Sequence, residues 1–192
     1  MVSRLKWLLV AESLFAGAYI ALTRGLFLIF LVAMGHDVRG ISFVILLSSL
    51  LSVIVGLALY KRPNFLVRKV KQKLSAFHLL ERLTWFFIPL TSNLLVISLL
   101  YSLCIIFSSF ISTFLTFTIY GLLPEEDIKE VTSKRTAAGN VSSIVGFALG
   151  TFLLAFLQTD EKFIYIFFLG AAVGILSTIS VLLMDLSQLE GA

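Results

Sequence analysis

The stretch Arg135 to Phe156, RTAAGNVSSIVGFALGTFLLAF, constrains the fold more than any other part of the chain. It is an apolar run in which Gly139, Ser143, Gly146 and Gly150 fall at i, i+4, i+7 and i+11. At 3.6 residues per turn these four stay on one side of a helix, where another helix backbone can approach closely. Small residues at that spacing pack helices in lipid, where no hydrophobic gain drives apolar side chains together. Gly170 and Gly174 repeat the device in the last apolar run, and Ser48, Ser52 and Gly56 repeat the four-residue spacing in the second. Hydrophobic residues make up 59% of the chain and charged residues 14%, with a mean hydropathy of +1.03. Soluble domains run at roughly 45–50% apolar and about 25% charged, so the chain belongs in a lipid bilayer. An all-α membrane protein is expected.

The apolar runs divide into six expected spans, at about 5–34, 41–60, 74–90, 94–122, 136–157 and 163–184, in a single six-helix transmembrane domain over residues 1–192. Thirty residues in the first run reach roughly 45 Å against a hydrocarbon core of about 30 Å, so this helix is expected to tilt or protrude. Arg4 and Lys6 open it in the manner of a secretory signal, but the run is too long and carries Glu12, so it reads as a span. Turns are expected at Gly35 to Gly40, at Pro89 with Thr91 to Asn93, and at Leu157 to Lys162. Pro63 breaks the helix within a basic loop. After Pro124, the segment PEEDIKEVTSKR spaces Glu125 with Lys129, and Glu130 with Lys134, for pairing on a short helix; it reads as a solvated loop.

Six spans put both termini on one side. Eleven Lys and Arg residues gather there: Arg4, Lys6, six between Lys61 and Lys73, then Lys129, Lys134 and Arg135; Arg39 and Lys162 lie opposite. The positive-inside rule makes the termini cytoplasmic, and the expected location is multi-pass in the plasma membrane. That asymmetry accounts for the net charge of +4, so the basic character requires no nucleic-acid partner. Cys104 is the single cysteine, which excludes an intrachain disulfide and makes it a small core residue.

Polar groups inside spans are costly, and each needs an account. In the first helix Glu12, Tyr19 and Thr23 share a face, with Arg24 about 120° round beside Ser13 and Gly17. Arg24 reads either as an anion-binding group in a central cavity or a partner for a carboxylate such as Glu12 or Glu81, or else as a residue above the midplane that snorkels outward or makes a structural pair. In the fourth helix Ser98, Ser102, Ser109, Ser112 and Thr116 fall within roughly an 80° arc, as a water-lined wall or as interhelical packing. His78, Glu81, Arg82 and Trp85 share a face of the third helix. An ion pair of Glu81 or Arg82 with Glu12 or a loop charge, and Trp85 as an interface anchor, suit them better than a metal site, since His36 is the one other histidine. No nucleophile elbow, HExxH or phosphate-cradling loop appears, so no enzyme activity, metal or cofactor is expected.

Six spans, a basic loop between the second and third, a long loop between the fourth and fifth, and the run Arg135-Thr136-Ala137-Ala138-Gly139 followed by Gly146 and Gly150 resemble the amino-terminal half of a major facilitator superfamily transporter. The resemblance implies two inverted three-helix repeats, with the first and fourth helices lining a central cavity. It implies a half-size transporter, moving a small solute by alternating access once paired with itself or with a second six-helix half. Tyr19, Arg24, Ser102 and Ser109 are the expected solute contacts, with Glu12, Glu81 and Arg82 as ion-pair or coupling groups. The chain departs from the family where Gly56 is followed four residues on by Tyr60 instead of an aspartate, and it lacks the Arg and Gly signature of proton-coupled exporters in its fourth helix. Those departures motivate the alternative, a non-transporting membrane scaffold, accessory subunit or remnant.

Overall fold

Short polar signals set the helix ends. In a computed structural model, which describes residues 2–61, 65, 68–159 and 161–190, no strand occurs among the described residues. Helices α1 (Val2–Leu22) and α2 (Arg24–Ala33) form one stretch of 32 residues interrupted at Thr23. Thr23 departs from helical backbone values (φ −108°, ψ −81°), and its hydroxyl donates to the Tyr19 carbonyl at 2.7 Å, a back-bond that bends helices. The expected single first helix is thus two. Gly35, at φ +81°, ends α2: its N–H reaches Val32 O at 3.0 Å and that of His36 reaches Leu31 O at 3.1 Å, a left-handed cap suited to glycine. Asp37 caps α3 (Val38–Tyr60) by accepting from Gly40 N–H, and Asn93 caps α5 (Leu94–Leu122) by accepting from Leu95 and Val96. Between them α4 (Val70–Phe87) tightens into a 3-10 turn at Ile88–Leu90, where Pro89 stops it. Helices α6 (Glu125–Phe156), α7 (Lys162–Leu182) and the short α8 (Ser187–Glu190) complete the chain.

Three expectations change. The segment after Pro124 is the first three turns of α6 and not a loop. Glu125, Glu126 and Asp127 suit the positive end of the helix, Lys6 pairs with Asp127, Lys134 pairs with Glu130 at 2.5 Å, and Val131 is buried. Five described helices, Val2–Ala33, α3, α5, α6 and α7, are long and apolar enough to cross a membrane, against the six expected. Helix α4, 18 residues long, is removed on composition, by Lys71, Lys73, Glu81 and Arg82. Trp85 is no interface anchor: it is fully buried, edge-on to Phe27 and Phe167 at 5.7 and 5.3 Å, because α4 packs between α5 and α7. Pro63, Arg62 and Asp160, which the expected basic loop and last turn include, lie outside the described residues.

Helix α1 lies between α6 and α7, α7 also packs on α4, α4 on α5, and α5 on α3, while α5 and α6 meet lightly. The close approaches use the small-residue faces. A Cβ on Gly146 would stand 2.9 Å from the Ala18 carbonyl oxygen, one on Gly150 2.7 Å from Leu26, and one on Gly139 3.0 Å from Ser13. Ser143 donates across this seam to Gly17 O at 3.1 Å. On the other side, Gly170 would meet Leu22 at 2.9 Å and Gly174 would meet Tyr19 at 2.8 Å. Two apolar clusters cap the bundle. One, with Leu5, Val70, Phe114 and Met184, lies toward the termini; the other, with Phe27, Phe30, Trp85 and Phe167, lies toward the short turns. Buried charge occupies the layer between.

Candidate functional site

Two carboxylates organise that layer. Glu81 of α4 is 3% exposed and is shared by Arg24, at the start of α2, and by its neighbour Arg82. Arg82 is itself 2% exposed. It donates to Ser177 Oγ at 3.0 Å and to Gly174 O at 3.4 Å on α7, and its guanidinium lies 4.4 Å from the centre of the Tyr19 ring, a favourable cation–π contact. Glu12 of α1 is also 3% exposed and accepts from Arg135 Nη2 at 2.8 Å, while Arg135 Nε donates to Leu9 O at 3.2 Å. His78 is fully buried with Nε2 3.8 Å from Glu12 Oε1, too far for a hydrogen bond. Each carboxylate thus has at least one cation, which is what allows ionised groups to sit so deep.

The sequence accounts for these positions. Glu12 and Tyr19 are seven residues apart on one face of α1. Glu81 and Arg82 fall on the inward side of α4, and the break at Thr23 comes immediately before Arg24. Arg135 marks where α6 meets α1, and Ser13 Oγ donates to its carbonyl at 2.8 Å.

Between α1, α4, α5 and α6 these groups line an open cleft, a cavity of about 370 Å³. Glu12, Glu81, Arg82, Arg135 and Tyr19 line it together with Ser108, Ser112, Thr116 and Asn140. Among the described residues, the phenol oxygen of Tyr19 and both nitrogens of His78 are buried without a hydrogen-bond partner. A volume of this order suits a small molecule, and the hydroxyl and amide groups of its lining are places for one to bind. Among the described residues no group of three His, Cys, Asp or Glu side chains is placed to hold a metal ion.

Of the expected contacts, Tyr19 lines the cavity, and Glu12, Glu81 and Arg82 form its charged walls. Arg24 stands behind the wall, bonded to Glu81 and, at 3.3 Å, to Cys104 O. Ser102 is buried and turned onto Ser98 O at 2.6 Å. Ser109 bonds to Ile105 O and faces a separate groove between α3 and α5. Neither serine lines the cavity, because the 80° arc straddles the contacts of α5 with two different helices. Ser112 and Thr116 from that arc do line it. Arg135 enters the sequence reading as a charge on the side of the termini and through the family resemblance, not as a site residue, and Asn140 is not singled out. Their signal is their spacing from the glycine stripe: the helix face that meets α1 carries these two at its edge. No protein-family model, curated protein or solved structure matches this chain.

Proposed function

We propose that the chain is a six-helix unit of a membrane transporter of the major facilitator type, which moves a small solute by alternating access. The observation that carries the reading is the polar cleft midway along the bundle, walled by two carboxylates and two arginines and lined by Ser112, Thr116 and Asn140. A packed structural core has no use for such a space, whereas a solute site at mid-membrane depth does.

The packing order supports the same reading. Count α1 with α2 as the first helix, then α3, α4, α5, α6 and α7. Exchanging the first three for the last three turns α1 on α6 into α5 on α3, turns α1 on α7 into α5 on α4, and leaves α4 on α7 unchanged. An inverted repeat of two three-helix units requires such a list of neighbours. On this reading α4 is the remaining span, its charges sheltered by α1, α5 and α7. The termini are cytoplasmic, and a second six-helix unit, identical or different, supplies the opposite wall. The apolar outer faces of α3 and α6, with Leu57, Ile144 and Phe152 exposed, are then shared by lipid and that unit.

The alternative, a non-transporting scaffold, draws on the mutual pairing of Arg24, Arg82 and Arg135 with Glu81 and Glu12, which a structural network would also display. Two measurements separate them. Native mass spectrometry from gently extracted membranes is expected to give a species near twice 21.3 kDa, or one with a second multi-span chain. Vesicles holding that species are expected to exchange at least one solute of a labelled panel of neutral, anionic and cationic compounds. A stable monomer that exchanges nothing above empty vesicles removes transport and leaves the scaffold.

A further inference from the structure

We infer that the groove between α3 and α5 holds an acyl chain of an anionic diacyl phospholipid, whose phosphate lies on Lys61 and Lys73 at the mouth of the groove. The inference needs the membrane but not transport.

The shape of the groove comes first. It has a volume of about 630 Å³ and follows α3 from Ser52 to Tyr60, a length of roughly 12 Å at about 1.5 Å per residue. That length falls within one leaflet of a hydrocarbon core about 30 Å thick. Ile106 and Phe110 line it from α5, and a Cβ on Gly56 would meet nothing within 4 Å among the described residues. The serine and threonine hydroxyls in its walls are already bonded: Ser52 donates to Ser48 O, Ser109 to Ile105 O and Thr113 to Ser109 O. A hydrocarbon chain therefore fills the space without leaving those donors unpaired. Val53, Ile54 and Leu57 of α3 are exposed, an apolar surface of the kind that lipid covers.

The end of the groove is basic. Between residues 61 and 73 the sequence has six Lys and Arg and no acid. Tyr60 lines the groove, and Lys61, exposed, follows it directly. Phe65 brings Lys73 to the same place. Lys73 donates to Phe65 O and stands 4.0 Å from the centre of that ring, and Phe65 packs on Phe110 with ring centres 5.9 Å apart. The charges of Arg68 and Lys69, both exposed, act on Lys73 as well. None of these four cations has a carboxylate partner among the described residues. Basic charge beside a span is ordinary; its junction with an apolar slot is what makes a site. One amphiphile fits both parts, with a chain for the slot and a phosphate for the cations. A zwitterionic lipid brings a cation of its own to the mouth, and a free phosphate leaves the slot unfilled.

The test is native mass spectrometry of the full chain released from nanodiscs that hold equal amounts of phosphatidylglycerol and phosphatidylethanolamine with the same acyl chains. One phosphatidylglycerol per chain is expected to stay bound, favoured by about tenfold or more. Lys61→Gln is expected to weaken that preference about fivefold, the effect of one cation near an anionic headgroup. Lys73→Gln is expected to do the same, and Lys73→Arg to keep it. Gly56→Leu fills the slot and leaves every cation in place. It is expected to abolish the preference without lowering stability in lipid-free micelles. A phosphatidylglycerol with a photoreactive acyl chain is expected to label α3 and α5 beside Gly56 and Phe110, and excess glycerol phosphate, which has the charge and no chain, is expected not to block that labelling. Equal retention of the two lipids overturns the inference, as does labelling confined to other helices or blocked by glycerol phosphate. An unchanged preference in Gly56→Leu overturns it too, since only the general attraction of a basic surface would then remain. Crosslinks from the groove to a second copy of the chain, with no lipid label, overturn it in favour of a protein occupant.

Discussion

Helix α1 meets α6, and α5 meets α3, along seams that both carry small residues at four-residue spacing, yet the two seams are built differently. Across the first, Gly146 faces the Ala18 backbone, Gly17 faces Gly139, and Ser143 donates to Gly17 O. Across the second, a Cβ on Gly56 would meet nothing within 4 Å among the described residues, and Ser48 and Ser52 bond back to their own helix at Ile45 O and Ser48 O. The reason lies in the partner. Helix α1 presents Gly17, Ala18 and Ala21, while α5 presents Ile106 and Phe110 and holds α3 off, leaving a groove of about 630 Å³. Small residues on one helix permit close approach; small residues on both achieve it. The close seam also carries Glu12 to Arg135, so its geometry holds a wall of the cavity, whereas the open seam holds none of it.

The sharpest way to break this contrast is to remove the charge that the close seam brings together. Arg135→Gln leaves Glu12 buried without its cation, and loss of one partner of a buried pair costs about 3–5 kcal/mol. Unfolding in mixed detergent micelles is the measurement, and wild-type stability would show that Glu12 finds water or another cation. Adding Glu12→Gln to that variant is expected to recover part of the loss, since two neutral amides have no uncompensated charge. Next in size comes Gly146→Leu. Its side chain would start 2.9 Å from a backbone oxygen and 3.1 Å from the Ala18 Cα, neither of which can rotate aside. A cost of about 1–3 kcal/mol is typical of such overpacking, along with weaker Glu12 to Arg135 pairing as the helices part. Equal stability would mean that α1 and α6 slide freely.

Much of this was legible in the sequence. The glycine stripe identified a helix face because spacing alone decides which residues share a side, and the polar side of α1 followed from Glu12 and Tyr19 in the same way. What periodicity does not carry is which face meets which helix. The Glu12 to Arg135 contact joins residues 123 apart, and the shared Glu81 joins Arg24 across 57; the sequence supplied the candidates and the fold chose the pairs. Ser109 shows the limit from the other direction: its arc was correctly helical, but α5 has neighbours on two sides, and Ser109 faces the wrong one. The segment after Pro124 misled because its polarity reads as solvent, whereas its acids suit a helix start and its Val131 is buried.

Two smaller predictions sharpen the comparison of seams. Ser143→Ala deletes the hydroxyl that reaches Gly17 O while keeping the close approach. Hydrogen bonds between membrane helices average about 0.6 kcal/mol, and a loss near that value is expected. A loss as large as that of Gly146→Leu would mean that the seam is held by this bond and not by packing.

Gly56→Leu is the reverse experiment and should do least. The added side chain enters the groove beside Phe110, where no atom of the described residues stands within 4 Å of its Cβ, so it neither displaces backbone nor strips a hydrogen bond. Stability is expected to stay within about 0.5 kcal/mol of the wild type, the usual range for substitutions that touch no such feature. The paired result, with Gly146→Leu costly and Gly56→Leu neutral, is what a tight and an open seam require. A Gly56→Leu variant that unfolds as readily as Gly146→Leu would mean that α3 closes onto α5 in the membrane, and that the two seams are alike after all.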